Sequence, residues 1–199
     1  FGQFMSFLYL SIILSAIIGI IIISWIRSFD IYEKETFRAM LWAFLVGGIT
    51  SVMTALGIYE FLRLFALEDE AISTTIGSFL IIGPVEEFAK LIGLVVVYGL
   101  ISKQFNELTD GVIYMSCVAL GFSIIENYFY ANAGDGNQYL LVYRVFISTP
   151  AHISFSVIIG YAWYRYKREN KPFRTVLMAL LIASVLHGIF DALAFSPWF

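Results

Sequence analysis

Eight ionisable residues fall inside stretches that are otherwise apolar: Glu86, Glu87, Lys90, Glu126, Arg144, His152, His187 and Asp191. His152 and His187 are the only two histidines of the chain. Carboxylates and imidazoles together could activate a water molecule, steady a developing oxyanion and hand a proton to a leaving amine. Their spacing groups them. Glu86 and Lys90 are four residues apart and Glu87 and Lys90 three, so they share a helix face. Phe122 and Glu126 are four apart, as are His187 and Asp191.

Each of these residues alone has a structural explanation. A Glu–Lys pair can fix helix packing, and a histidine can hydrogen-bond a neighbouring helix. Arg144, five residues into its stretch, can snorkel or pair with a carboxylate. A mid-bilayer Asp, Lys or Arg costs about 2.5–3.5 kcal/mol on insertion scales, however, and one stretch carries three charges. A shared functional cluster explains the set better than eight separate accidents.

The elements that must position these side chains follow from composition. The chain has 199 residues, 60% hydrophobic, 18% aromatic and only 14% charged, with a mean hydropathy of +0.83. Soluble domains are about half apolar and about a quarter charged, so a water-soluble enzyme and a disordered chain are excluded. The net charge of −3 offers no basic field for nucleic acid. The single Cys117 excludes an intrachain disulfide and a cysteine-based zinc site. Phe1 in place of Met reads as a trimmed start.

A membrane-crossing helix needs about 20 mostly apolar residues. Six windows qualify: 4–26, 39–59, 71–101, 111–131, 139–164 and 175–195. No strand alternation is present, so the expected fold is an all-α polytopic membrane bundle of about six transmembrane helices. The first window is too long for a signal peptide, lacks a basic start and has no small-residue cleavage site after it. The third window is interrupted at Gly83-Pro84 and reads either as one kinked helix or as a re-entrant piece feeding a second helix. No repeat or Pro/Gly-rich linker divides the chain, so residues 1–199 read as a single membrane-embedded domain.

Orientation follows from the cations. If the windows alternate, the loops after helices 1, 3 and 5 hold Arg27, Lys34, Arg38, Lys103, Arg165, Lys167, Arg168, Lys171 and Arg174, against Arg63 alone on the other side. That asymmetry assigns the first set to the cytoplasm of a multi-pass cell-membrane protein and the acidic stretch Glu68-Asp69-Glu70 to the outside. At ~1.5 Å per residue, Glu86 and Glu126 lie about 22 Å from the cytoplasmic ends of their windows, His152 and His187 about 18 Å, and Asp191 about 24 Å. Four helices thus bring acids and imidazoles to nearly one level, slightly outward of the midplane.

Glu86-Glu87-Phe88-Ala89-Lys90 reads E-E-x-x-K, Phe122-Ser-Ile-Ile-Glu126 reads F-x-x-x-E, and His187-Gly-Ile-Phe-Asp191 reads H-x-x-x-D, with His152 between the last two. This ordered set, over residues 86–191, resembles the PrsW-type intramembrane proteases and, more distantly, the CAAX prenyl endopeptidase and bacteriocin-processing clan. The resemblance implies an endopeptidase that cuts a single-span membrane protein or peptide, as in site-1 cleavage of a membrane-bound anti-sigma factor. It implies a glutamate mechanism, with Glu86 or Glu87 activating water and His187 and Asp191 holding the oxyanion. Glu126 stands where the prenyl endopeptidases carry histidine, and His152 is the imidazole available to replace it.

The catalytic set expected is therefore Glu86, Glu87, Glu126, His152, His187 and Asp191, supported by Lys90 and Phe122. Desolvation and crowding raise carboxylate pKa values, so one Glu is expected ionised as base while another carries a proton as donor. Two histidines plus carboxylate also form a workable zinc set, in which Glu86, Glu126, His152 and His187 would be the ligands. The sequence reading sets this zinc variant second to a cofactor-free site. Small and hydroxyl residues, among them Ser78, Gly83, Ser116, Gly121, Ser123, Asn127, Thr149 and Ser154, could wet the site or simply allow close packing. The competing functions are a proton- or ion-coupled transporter, which inverted repeats would support although none is seen, and a non-catalytic scaffold whose polar cluster only fixes packing.

Overall fold

The computed structural model describes residues 2–31, 33–64, 75–133 and 138–194. These form six helical rods and no strand. They are α1 (Gly2–Ser28), α2 (Phe37–Leu64), α3 (75–101), α4 (Leu108–Ala133), α5 (138–168) and α6 (Arg174–Ala194). Five of them are long and apolar enough to cross a membrane. The rod left out is α3, which carries Glu86, Glu87 and Lys90 near its middle. The chain is a multi-pass helical membrane protein. Residues 65–74, with the Glu68-Asp69-Glu70 stretch and the start of the third window, lie outside the described residues.

The core sits around α4. Its membrane span is 72% buried, against 22% for α1. It packs on α1, α2, α3 and α5, while α6 closes the bundle against α3 and α5. Ile113, Tyr114, Met115, Val118 and Ala119 of α4 are fully buried, whereas Ile13, Ile17, Ile20 and Ile21 of α1 and Leu177 and Leu181 of α6 face outward. An outward apolar surface of this kind suits lipid rather than water.

Local chemistry sets the helix ends. Thr36 caps α2 by accepting the Ala39 N–H at 3.2 Å. Asn170, at φ 55°, turns the chain out of α5 just before Pro172.

Three rods contain a π-helical turn: Ala43–Gly47 in α2, Ser78–Ile82 in α3 and Arg144–Ser148 in α5. The last two end just before Pro84 and Pro150, at the start of the α-helical part of each rod. Proline removes an N–H and its ring crowds the carbonyl four residues back, so a regular turn cannot be kept there. The wider turn absorbs that conflict without ending the helix. At Gly83-Pro84 the described chain is therefore one continuous helix from Thr75 to Ile101, not a re-entrant piece followed by a second helix. Glu86, Glu87 and His152 all follow within three residues of such a proline.

Gly83 of α3 and Gly188 of α6 let two backbones touch. A Cβ on Gly83 would stand 2.6 Å from the Ser184 carbonyl oxygen and 2.7 Å from the Gly188 nitrogen. One on Gly188 would stand 2.8 Å from the Phe79 Cα. This contact adjoins His187 and is one turn from Glu86 and Glu87. Gly83→Ala should force α3 and α6 apart and destabilise the protein by about 1–3 kcal/mol. Gly99, which has nothing within 4 Å, is the control. Thermal unfolding in detergent should give a lower midpoint for Gly83→Ala and no loss for Gly99→Ala; equal midpoints would refute the contact's importance.

Candidate active site

The eight intramembrane ionisable residues meet in one network built by α3, α4, α5 and α6. Its centre is the pair Glu87 and Lys90, both fully buried. Lys90 Nζ donates to Glu87 Oε1 at 2.8 Å and to His152 Nδ1 at 2.9 Å. It stands 3.8 Å from Glu86 Oε2 and 4.5 Å from the centre of the Phe122 ring. A lysine ammonium has only donors, so Nδ1 of His152 is the acceptor nitrogen and Nε2 carries the proton. That Nε2 lies 2.9 Å from Glu126 Oε2.

Glu87 is saturated. Besides Lys90 it binds His187 Nδ1 at 2.9 Å through Oε1 and Ser156 Oγ at 2.8 Å through Oε2. His187 thus turns its Nε2 toward Glu86 Oε2 at 3.6 Å and Asp191 Oδ2 at 3.4 Å. The two imidazole rings meet edge to face, centroids 4.8 Å apart. Glu126 pairs with Arg144 at 2.6 Å. Arg144 in turn donates from Nε to Asn127 Oδ1 at 2.7 Å and covers the Tyr130 ring at 3.8 Å.

Glu86 differs from Glu87. It lines a cavity of about 610 Å³ between α2, α3 and α4, whose walls include Tyr59, Phe122, Glu126, Phe129 and Tyr130. Its Oε1 accepts from the Tyr59 hydroxyl at 3.5 Å, while Oε2 is buried and has no hydrogen-bond partner. Of the network's carboxylates Glu86 and Glu126 thus open to the cavity, and Glu87 is held behind them. Tyr59 and Ser156 escape the sequence reading. Ser156 follows His152 by four residues, a spacing that carries the signal; Tyr59 sits on a rod that bears no motif. Of the small residues, Gly83 and Gly121 serve backbone contact, Ser123, Asn127 and Thr149 bond one another behind Arg144, and Ser116 and Ser154 bond their own helices. None of them lines this cavity.

The donor set also suits a metal ion. Glu86, His152 and His187 each offer one ligand atom within 4.8 Å of the others. Zinc bonds of 2.0–2.1 Å in a tetrahedron put ligand atoms about 3.3 Å apart. The Glu86–His187 and Glu86–His152 separations of 3.6 and 4.0 Å are close to that and too long for direct hydrogen bonds, and an ion there would take the His152 Nδ1 lone pair in place of the Lys90 hydrogen bond. The unsatisfied Glu86 Oε2 is the atom such an ion would complete. A carboxylate on the far nitrogen of each imidazole, Glu87 for His187 and Glu126 for His152, is the usual outer arrangement of metal-bound histidine.

Residues 35–199 match the family described as PrsW family intramembrane metalloprotease. The chain belongs to that family. Three relatives carry the name Protease PrsW: one from Clostridioides difficile, 39% identical over 92% of this chain and 78% of its own length; one from Geobacillus kaustophilus, 31% identical over 87% and 74%; and one from Bacillus subtilis, 30% identical over 90% and 81%. No solved structure matches. Membership of the PrsW family makes the protein an intramembrane protease acting on membrane-protein substrate, ahead of the transporter and scaffold alternatives. The family description includes the metal that the sequence reading put second.

Arg144 is the group that neutralises Glu126. Removing it leaves a nearly buried carboxylate with the His152 N–H but no opposing charge of its own, which should cost about 3 kcal/mol. Arg144→Met should therefore unfold well below wild type in a thermal or denaturant series. Combining it with Glu126→Gln should recover most of the loss, and additive losses would refute the pairing.

Proposed function

We propose that this chain, as one membrane-embedded domain, is an endopeptidase that hydrolyses a peptide bond of a single-span membrane-anchored substrate. The loops after α1, α3 and α5 are then cytoplasmic and the cavity opens toward the extracytoplasmic half of the bilayer. Site-1 cleavage of a membrane-bound anti-sigma factor is the substrate class implied by the family resemblance. One observation carries the reading: Glu86, a carboxylate with an unsatisfied oxygen, faces two oriented imidazoles at the floor of a cavity large enough for a peptide segment.

Glu86, His152 and His187 would hold the metal of the family description, with Glu87 and Glu126 orienting the imidazoles. A bound zinc would supply Lewis acidity and a water of lowered pKa. This chain's own groups do the rest. Glu126, open to the cavity, takes the proton of the attacking water and passes it to the amine nitrogen as the C–N bond breaks. The Tyr59 hydroxyl, beside Glu86, donates to the oxyanion. Asp191, 3.4 Å from His187 Nε2, steadies that ring as charge develops. The apolar walls from Val52 to Phe129 exclude bulk water and bind an extended, lipid-borne segment, while the Glu60–Arg63 ion pair marks the polar rim.

A second reading is favoured by Lys90. Its ammonium, 2.9 Å from His152 Nδ1, already brings a positive charge into the triangle. In that case Glu86 itself is the base and no metal is needed. Reconstitution with a single-span substrate tests both. Wild type should release two fragments, and Glu86→Gln should lower the rate by about a hundredfold or more. Chelation followed by zinc restores cleavage under the first reading and changes nothing under the second. Cleavage by Glu86→Gln at the wild-type rate would overturn both.

A further inference from the structure

A second group of acids lies about 24 Å along α4 from Glu126, at the other end of the rod. Asp30 and Glu35 come from the connection between α1 and α2, and Asp110 from the first turn of α4. A carboxylate oxygen of each lies within 4.8 Å of the others. All three are buried, at 1%, 5% and 0% exposure. Their partners are few. Asp110 Oδ2 accepts the backbone N–H groups of Asn106 and Glu107 at 2.7 and 2.5 Å, and Glu35 Oε2 accepts the Tyr114 hydroxyl.

Both oxygens of Asp30 and Oδ1 of Asp110 are buried with no hydrogen-bond partner. Among the described residues no Lys, Arg or His pairs with any of the three. Arg27, the neighbouring cation, instead spends Nε and a terminal nitrogen on the Glu35 backbone carbonyl, at 3.0 and 2.7 Å. Glu33 is close by, held by Asn106 Nδ2 at 2.9 Å, and adds negative charge. Burial, then the hydrogen bond and charge of Asp110, push the Glu35 carboxyl up to about 9. Buried carboxylates crowded in this way need a proton or a cation to neutralise them, and no Lys, Arg or His among the described residues does so.

We propose that Asp30, Glu35 and Asp110 form a binding site for a hard divalent cation, calcium or magnesium. The donors are oxygen alone, without imidazole or thiolate, which favours these ions over zinc. Three carboxylates leave coordination positions for water or backbone carbonyl, as both ions require. The bound ion ties the α1–α2 connection to the start of α4. Its role is structural, because the site is remote from the cavity. This inference does not depend on the protease reading.

The test uses the full chain in detergent, freed of cations with EDTA. Terbium chloride is titrated and read by aromatic-sensitised luminescence, with Tyr114 in contact with Glu35 as the nearest sensitiser. Calcium and magnesium chlorides are then used as competitors and as stabilisers in thermal unfolding. Wild type should bind saturably, and one or both competitors should displace terbium and raise the midpoint. Asp30→Asn and Asp110→Asn should weaken binding at least about tenfold and lose the rise. Asp30→Asn keeps the Asp110 bonds to the α4 start, so it folds even where Asp110→Asn fails, and its cation-free midpoint should exceed that of cation-free wild type. Glu86→Gln should keep the part of the binding that Asp30→Asn and Asp110→Asn remove, which separates this site from the cavity. No saturable binding up to about 10 mM, or unchanged binding in Asp30→Asn, would overturn the proposal. Stabilisation by acid alone, with no response to either ion, would assign the cluster to a shared proton instead.

Discussion

Charge cannot be left unpaired in hydrocarbon, and that constraint organises this bundle. Glu87 and Lys90 are wholly withdrawn from solvent, a position that costs several kcal/mol per ion unless every polar atom is met. They meet each other along α3, but neither is completed by its own helix. Lys90 requires the imidazole of His152 on α5, and Glu87 requires Ser156 on α5 and His187 on α6. Phe122 of α4 closes the lysine's remaining side. Packing four rods in any other register would strand one of these groups, so the same contacts that neutralise charge also fix the geometry of the site.

The backbone is adapted to let this happen. Two prolines with π turns before them release α3 and α5 from strict helical bonding just ahead of Glu86, Glu87 and His152. Gly83 and Gly188 bring α3 and α6 into main-chain contact at the level of His187. The consequence is a division of labour between adjacent acids. Glu87 is consumed by structure, while Glu86 keeps one oxygen unsatisfied and faces the cavity. A group that is free to react can exist in the membrane only because its neighbour has absorbed the surrounding positive charge.

The two acidic clusters of the protein are opposite in this respect. Around Glu86 every carboxylate has an imidazole, lysine or arginine beside it. Around Asp30 no carboxylate is paired with one among the described residues, Arg27 being bonded to the Glu35 backbone instead. Both lie against α4, the most buried span, so the rod that anchors the cavity wall through Phe122 and Glu126 is also the one whose first turn gathers the second cluster.

The helical class, the membrane setting and the set of intramembrane charged residues that the fold brings together were legible in the chain itself, because charge inside apolar stretches is a one-dimensional signal. The spacings i, i+3 and i, i+4 within α3, α4 and α6 are equally local, and they put Glu86, Glu87 and Lys90, Phe122 and Glu126, and His187 and Asp191 on shared faces before any packing is known. Tertiary structure alone decided which Glu is saturated and which is open, since that depends on where α5 and α6 dock. It also decided that Tyr59, from a helix with no motif, reaches Glu86, and that three acids on one connection and a helix start converge. The contacts between rods among these join residues 27 to 100 positions apart, and no local pattern encodes a contact made by rods that meet only after packing.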